Sequence, residues 1–415
     1  GIGDRRARGI WVILTLLYGF AFEIQRCGGR CAIFPTSALQ MTASDGKGRA
    51  HSGALKTGLC MKHLAFATAL VMGMVACTAP DPAGTPVRQP ISDTALWSFD
   101  TAARSLRVAS CPAGSAVIEP TAMAIAVDPI DLNDSGASPL LPDSVLFVGG
   151  WHLTSTNVNF GGLSGIETLP DGDLLTVSDI GAFVWIGLSD DQPDGTGKLA
   201  YMLGPDGTQL SGKSDGDAEG LALRDGLALV SFEHNHRVEA FDLASCGAAA
   251  RAAQVTHLPY DVSGRAINDN QGAEALSILA DGTIRFGLES FGSGASPVGT
   301  VLATGEGVLT GDRAANPRGY SLVGFDETTD TTGQPVTVTL YRSYDPIRGN
   351  RNIVTWSTSD VHIELKRPMT VDNFEGIAAE ILDADTLRIW LISDNNFSDR
   401  QQTLLYAFDV DSRTE

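Results

Sequence analysis

Seven acidic residues recur at matching places along this chain: Glu219 with Glu233, Glu274 with Glu289, Glu375 with Asp394, and Asp179 in a copy that carries Ser164 instead of a first acid. They bracket four similar segments, LSGIETLPDGDLLTVSD (Leu163 to Asp179), AEGLALRDGLALVSFE (Ala218 to Glu233), AEALSILADGTIRFGLE (Ala273 to Glu289) and FEGIAAEILDADTLRIWLISD (Phe374 to Asp394). Carboxylates held close together repel, so each set requires protons, hydrogen-bond donors or a counter-charge. A hard cation such as Ca²⁺ answers that need with roughly six to eight oxygen ligands. Oxygen-rich side chains crowd the same loops: Asn268, Asp269, Asn270, Gln271, Asp372, Asn373, Asn395 and Asn396. One or more Ca²⁺ ions bound by these acids is the expectation. The competing reading is that a repeated acid accepts backbone N–H groups and ties one repeat to the next.

The elements that must position these acids are β-hairpins. Strand-length apolar runs are joined by Asp171-Gly172, Asp225-Gly226, Asp281-Gly282 and, less cleanly, Ala384-Asp385, and Asp-Gly supplies the positive φ that a tight hairpin turn needs. Centring the pairing on those turns places Glu274 opposite Glu289, Glu375 opposite Asp394 and Ser164 opposite Asp179, with Glu219 within one residue of facing Glu233. Gly165, Gly220, Ala275 and Gly376 are equivalent, at spacings of 55, 55 and 101 residues, so one repeat between the last two has lost its signature. A period near 50 built from strands predicts an all-β propeller. Adding a degenerate unit at Tyr320 to Arg342 and an N-terminal unit from about Ala95 to Trp151 gives six blades. Pairing of the two ends of this region is the expected way to close the ring.

The chain has 415 residues, 43% hydrophobic, with 46 Gly and 19 Pro, enough for a large turn-rich core. Residues 1–60 look foreign to the rest. Met61 then opens MKHLAFATALVMGMVAC, which has the form of a signal peptide over 61–76 and resembles a bacterial lipoprotein signal with Cys77 as the lipid-bearing residue. A Pro-rich tether over 77–92 and a folded domain over 93–415 complete the expected organisation. This places the domain in an exported setting on the periplasmic side, anchored to the outer membrane only through the N-terminal lipid. The formal net charge is −20, and nine of the 29 Lys and Arg lie in the first 76 residues, so the domain is more acidic still. That argues against nucleic acid as a partner and suits a cation. Cys111 and Cys246 are the two cysteines after Cys77, and an oxidising compartment would allow them to pair.

Three other patterns carry less. GTQLSGKS (Gly207 to Ser214) has the letters of a P-loop, but turn-like GPDG precedes it and DGDAEG follows, where a strand and a helix are required. His234 and His236 read as a solvated pair after a strand. G-x-S-x-G is absent, and Ser164 in GLSGI lacks the second glycine, so serine-hydrolase chemistry has little support.

The segment DNFEGIAAEILDADTLRIWLISDNNFSDRQQTLLYAFDV (Asp372 to Val410), together with GLSGIETLPDGDLLTVSD and DAEGLALRDGLALVSFEHNHRV, resembles the phytase-like family described as "esterase-like activity of phytase", over roughly Val148 to Val410. The resemblance implies a propeller in which Glu219, Glu233, Glu274, Glu289, Glu375 and Asp394 ligate Ca²⁺ and Arg237 or Arg400 contacts phosphate. Metal-dependent hydrolysis of a small phosphoester, by a monomer, is the leading expectation. With only Lys198, Lys213 and Lys366 after residue 76, a simple phosphoester fits better than phytate. A Ca²⁺-dependent lactonase or esterase on the same propeller is the second expectation, and a non-catalytic envelope binding protein the third.

Overall fold

The computed structural model describes residues 22–27, 30–35, 95–133, 141–262, 264–289 and 295–411. Two units separate, Gly1–Thr85 and Pro86–Glu415. In the first, Phe22–Cys27 pairs antiparallel with Arg30–Pro35. The signal segment 61–76, Cys77 and the whole 77–92 tether lie outside the described residues.

The second unit is a β-propeller. Among the described residues it contains five sheets of four or five strands, which we number as blades I to V by their inner strands: Leu163–Thr168, Ala218–Arg224, Ala273–Ile278, Ser321–Thr329 and Phe374–Ile381. Each inner strand packs on the next, and Phe374–Ile381 packs back on Leu163–Thr168, so the ring is closed. Five apolar clusters fill the spaces between successive blades. Leu175, Phe183 and Phe232 join I to II; Leu229, Leu276 and Phe286 join II to III; Ala275, Leu322 and Phe325 join III to IV; Val338, Phe374 and Phe408 join IV to V; Leu163, Trp390 and Ile392 join V to I.

The four hairpins stand where their apolar runs and turns place them, and Tyr320 to Arg342 begins blade IV. Asp225 and Gly226 both have positive φ, 52° and 72°, as a two-residue hairpin turn demands. The expected sixth blade does not form. Its residues join existing sheets: Thr121–Ala124 adds to the outer edge of blade I, and Val145–Thr154 and Ala126–Pro129 add to blade V. This segment has no inner-strand hairpin of its own, and its apolar run is instead covered as an outer strand. Ring closure by both ends of the propeller region is found here, since Thr403–Asp411 pairs with Val145–Thr154 from Thr403↔Leu153 to Val410↔Val145. The preceding helix Phe99–Ser110 lays Phe99 and Leu106, and the segment before it Trp97, on the cluster between blades II and III. A Cys111–Cys246 disulfide, spanning 135 residues, then ties the end of that helix to blade II. Chain-entropy reasoning assigns such a loop about 5 kcal/mol at most.

Glycine in the inner strands answers a crowding problem. A Cβ at Gly376 would lie 2.0 Å from the Ser164 carbonyl, one at Gly165 2.9 Å from that of Glu219, and one at Gly324 2.9 Å from that of Glu375. In these blades the neighbouring inner strand leaves no room for a side chain there, and backbone cannot yield as a flexible side chain can. Gly376→Ala is therefore expected to lower the unfolding free energy by about 2–3 kcal/mol. Ala275→Gly, at the equivalent place in blade III, should cost less than about 1 kcal/mol. Urea unfolding checks both, and a wild-type midpoint for the Gly376 variant would contradict this packing.

Candidate metal centre at the channel mouth

The same feature recurs at the upper end of every inner strand. The ladder between the first and second strands shifts register between Leu163 and Ile166, Ala218 and Leu221, Ala273 and Ala275, Leu322 and Gly324, and Phe374 and Gly376. These β-bulges leave Ser164, Glu219, Glu274, Val323 and Glu375 out of the pairing, and a bulge re-aims side chains at a rim. Past the bulge the second strand ends on the other acids, whose backbone N–H groups hydrogen-bond across: Asp179 to the Gly162 carbonyl at 3.0 Å, Glu233 to Asp217 at 2.9 Å, Glu289 to Gly272 at 3.3 Å and Asp394 to Asn373 at 3.0 Å.

The bulges correct the expected facing pairs. Glu289 stands opposite Gly272 rather than Glu274, and Asp394 opposite Asn373 rather than Glu375. Yet the acids still converge. Asp179, Glu219, Glu233, Glu274, Glu289, Glu375 and Asp394 all line one cavity of about 910 Å³, shared with Asp372, Asn270, Asn373 and Asn396. Arg400 lines it too. Arg237 does not: its guanidinium is buried 4.1 Å over the Phe232 ring, donates to the Asp215 carbonyl at 2.6 Å, and pairs with Glu239 at 3.2 Å. It holds a loop, and the expectation that it contacts substrate fails because its donors are already committed.

Sequence reasoning missed several cavity residues. Lys213, from the rejected P-loop pattern, lies in a loop of turns with no helix after it, and its Nζ sits 3.0 Å from Asp217 and 3.7 Å from Asp179. Arg342 and Arg367 also line the wall. Arg342 would have emerged by aligning Gly324 with Gly165, Gly220, Ala275 and Gly376. His234 and His236 are not a solvated pair. They sit in a turn, His234 at φ 55°, with Nε2 of His234 3.2 Å from Asp217 and Nε2 of His236 3.2 Å from the Asn268 carbonyl. Asp217, Glu233 and His234 present ligand atoms within 4.8 Å of one another, a possible metal-binding group.

Burial and mutual repulsion dominate the electrostatics. Burial first, then Glu274 and Glu375, raises the Glu219 carboxyl well above its usual range. Burial, Glu233 and Glu289 do the same to Glu274. Asp179 is pushed to about 6, Glu233 to about 7 and Asp394 to about 8, burial being the largest cause in each. Oδ1 of Asp179 is buried and has no hydrogen-bond partner. Without a cation, this cavity keeps protons that a solvated carboxylate has released.

With this geometry in view, residues 158–355 match the family model "Phytase-like: Esterase-like activity of phytase", which bears out the family resemblance over that span. No curated protein matches the sequence. Among solved structures, the PQQ-bound aldose sugar dehydrogenase of Streptomyces coelicolor overlaps with a TM-score of 0.38 at 13% identity, covering 65% of this chain and 100% of that one. Glutaminyl cyclase of Myxococcus xanthus gives 0.34 at 13% identity, covering 64% and 97%. A protein of unknown function from Dyadobacter fermentans gives 0.32 at 10%, covering 71% and 97%. Overlap this loose says nothing about the reaction.

The raised acids bind protons in the folded chain that the unfolded chain loses above its ordinary carboxylate pKa. Their contribution to stability is thus intact at about pH 4 and is lost as pH rises through the folded values of about 6 to 8. In chelator, Tm should fall across that window, by about 2–4 °C for each kcal/mol lost. Glu274→Gln, which removes one of the mutually repelling charges, should raise Tm at pH 8 and leave it nearly unchanged at about pH 5. A flat Tm profile in chelator would contradict the electrostatic account.

Proposed function

We propose that this propeller is a Ca²⁺-dependent hydrolase of small phosphoesters, working at the mouth of its central channel. The observation that carries the reading is the convergence of seven carboxylates from four blades on one cavity that Lys213, Arg342, Arg367 and Arg400 also line. Hard oxygen donors suit a hard cation, and the unpartnered Asp179 oxygen and the neighbouring carboxylates of Asp217 and Glu233 give it places to bind. Glu219, Glu274 and Asp394 would complete the ligand supply, Glu289 and Glu375 being held by Arg342. A cation bound there lowers the pKa of a coordinated water and polarises a phosphoryl oxygen.

The protein's own residues supply the rest. Arg367 and Arg400 are exposed at the rim, where planar guanidinium forks can engage and orient a phosphate. Basic groups on the wall favour an anionic phosphoester over a neutral lactone. Export of the protein accords with the Cys111–Cys246 disulfide, since oxidising compartments preserve such bonds.

The test is phosphate release by the full chain from a panel of phosphate mono- and diesters, with Ca²⁺ and with chelator. Turnover with Ca²⁺ and a loss of at least about 100-fold in chelator are expected. Arg400→Ala should raise KM by about tenfold with a smaller change in kcat, as the loss of one charged contact to substrate does. Absence of phosphate release under both conditions would overturn the hydrolase reading for that panel.

A further inference from the structure

Two rings of residues surround the channel mouth, and blade IV breaks both. In the bulge ring, Ser164, Glu219, Glu274 and Glu375 are interrupted by Val323, which is buried in the apolar cluster between blades IV and V. In the second ring, the residue after the first ladder pair above the bulge is Asp179, Glu233, Glu289 or Asp394 in blades I, II, III and V. In blade IV that pair is Leu322↔Tyr341, and the next residue is Arg342. The place that holds an acid four times holds a guanidinium the fifth time.

Its contacts follow from that place. Nη1 of Arg342 lies 2.9 Å from Oε1 of Glu375 and donates to Oδ1 of Asn373 at 2.6 Å, both in blade V. Nη2 lies 3.6 Å from Oε1 of Glu289, at the end of the second strand of blade III. One side chain, three-quarters or more buried, therefore bridges acids from the two blades that flank its own. We propose that Arg342 is a built-in counter-ion of the acid ring, doing between blades III and V what a bound cation does elsewhere and confining added cation to the remaining acids. It is a positioning residue: it fixes Glu375 and Glu289 and sets how much charge the cavity leaves for metal. Its field also opposes the rise that burial imposes on both carboxyls.

This inference deepens the metal reading and rests on it only for the cation-binding arm of its test. Arg342→Gln and Arg342→Lys are prepared in the full chain, and Tm is followed in chelator and in millimolar Ca²⁺ at one fixed pH, with Ca²⁺ binding measured by calorimetry. The Gln variant should lose several degrees in chelator and recover most of that loss in Ca²⁺. It should also bind Ca²⁺ at least about tenfold more tightly or in one extra equivalent, because two carboxylates have been released. The Lys variant keeps the charge and should stay within about threefold of wild-type affinity.

A purely structural arginine predicts equal losses of Tm in chelator and in Ca²⁺, with unchanged affinity, and that result overturns the proposal. So does a Lys variant that tightens Ca²⁺ binding as much as Gln does. If the Gln variant folds in neither condition, the Lys variant alone decides by that criterion. If wild type shows no Ca²⁺ response, the proposed function fails. The counter-ion role is then read from chelator alone, where Lys must retain stability that Gln loses.

Discussion

Mutual repulsion among carboxylates at the channel mouth is the constraint on which the rest of this structure turns. Two unit charges about 4 Å apart repel by on the order of 4 kcal/mol at an effective dielectric near 20. The cavity gathers seven repeated acids and Asp372. Repulsion of that size must be met by protons, by fixed positive charge or by bound cation. The structure supplies part of the answer itself: Arg342 lies between Glu375 and Glu289, and Lys213 lies by Asp217 and Asp179. Burial still raises the carboxyls, those beside Arg342 and Lys213 included, so the remaining charge is left to protons or to the cation proposed above.

The fold can hold this arrangement because its stabilising interactions lie elsewhere. Five apolar clusters between the blades, a ring closed by Thr403–Asp411 on Val145–Thr154, and the Cys111–Cys246 link include none of the mouth acids. Local geometry then delivers the side chains. Close approach of the inner strands requires glycine after the bulge at Gly165, Gly220, Gly324 and Gly376, and the bulge lets the preceding residue leave the ladder. The recurring Glu-Gly pair therefore unites a packing requirement with a carboxylate at the channel mouth. At the opposite end of the channel, Glu167 and Asp326 are also buried acids, but each accepts a backbone N–H from the next blade, Leu223 at 3.2 Å and Ala379 at 2.9 Å. The blade-tying reading of a channel acid holds there and, at the mouth, for Glu233, whose Oε1 accepts the Gly272 N–H at 2.8 Å.

The four hairpins and the set of acids were legible in the sequence because Asp-Gly turns and Glu-Gly repeats are local signals. Bulges are not: a register shift is invisible in the letters, so pairing centred on the turns sets Glu289 against Glu274 and Asp394 against Glu375, whereas Asp179, Glu233, Glu289 and Asp394 face Gly162, Asp217, Gly272 and Asn373. The blade count erred where identity depends on partners far away in sequence. Val145–Thr154 reads as a strand in any setting, and only its pairing with Thr403–Asp411 makes it the fourth strand of blade V. Arg237 and Arg342 show the same limit. Both are arginines near acids, but stacking over Phe232 withdraws one from the cavity while blade IV's register places the other in its wall.

The most direct test of this account is a crystal of the protein grown in Ca²⁺, with anomalous scattering recorded to locate the ion. The account predicts anomalous density in the cavity among Asp179, Glu219, Glu233, Glu274 and Asp394, with oxygen ligands at about 2.3–2.6 Å. A well-ordered cavity with its carboxylates in place and no anomalous density in millimolar Ca²⁺ would contradict it, and would leave these acids as protonated members of the blade framework.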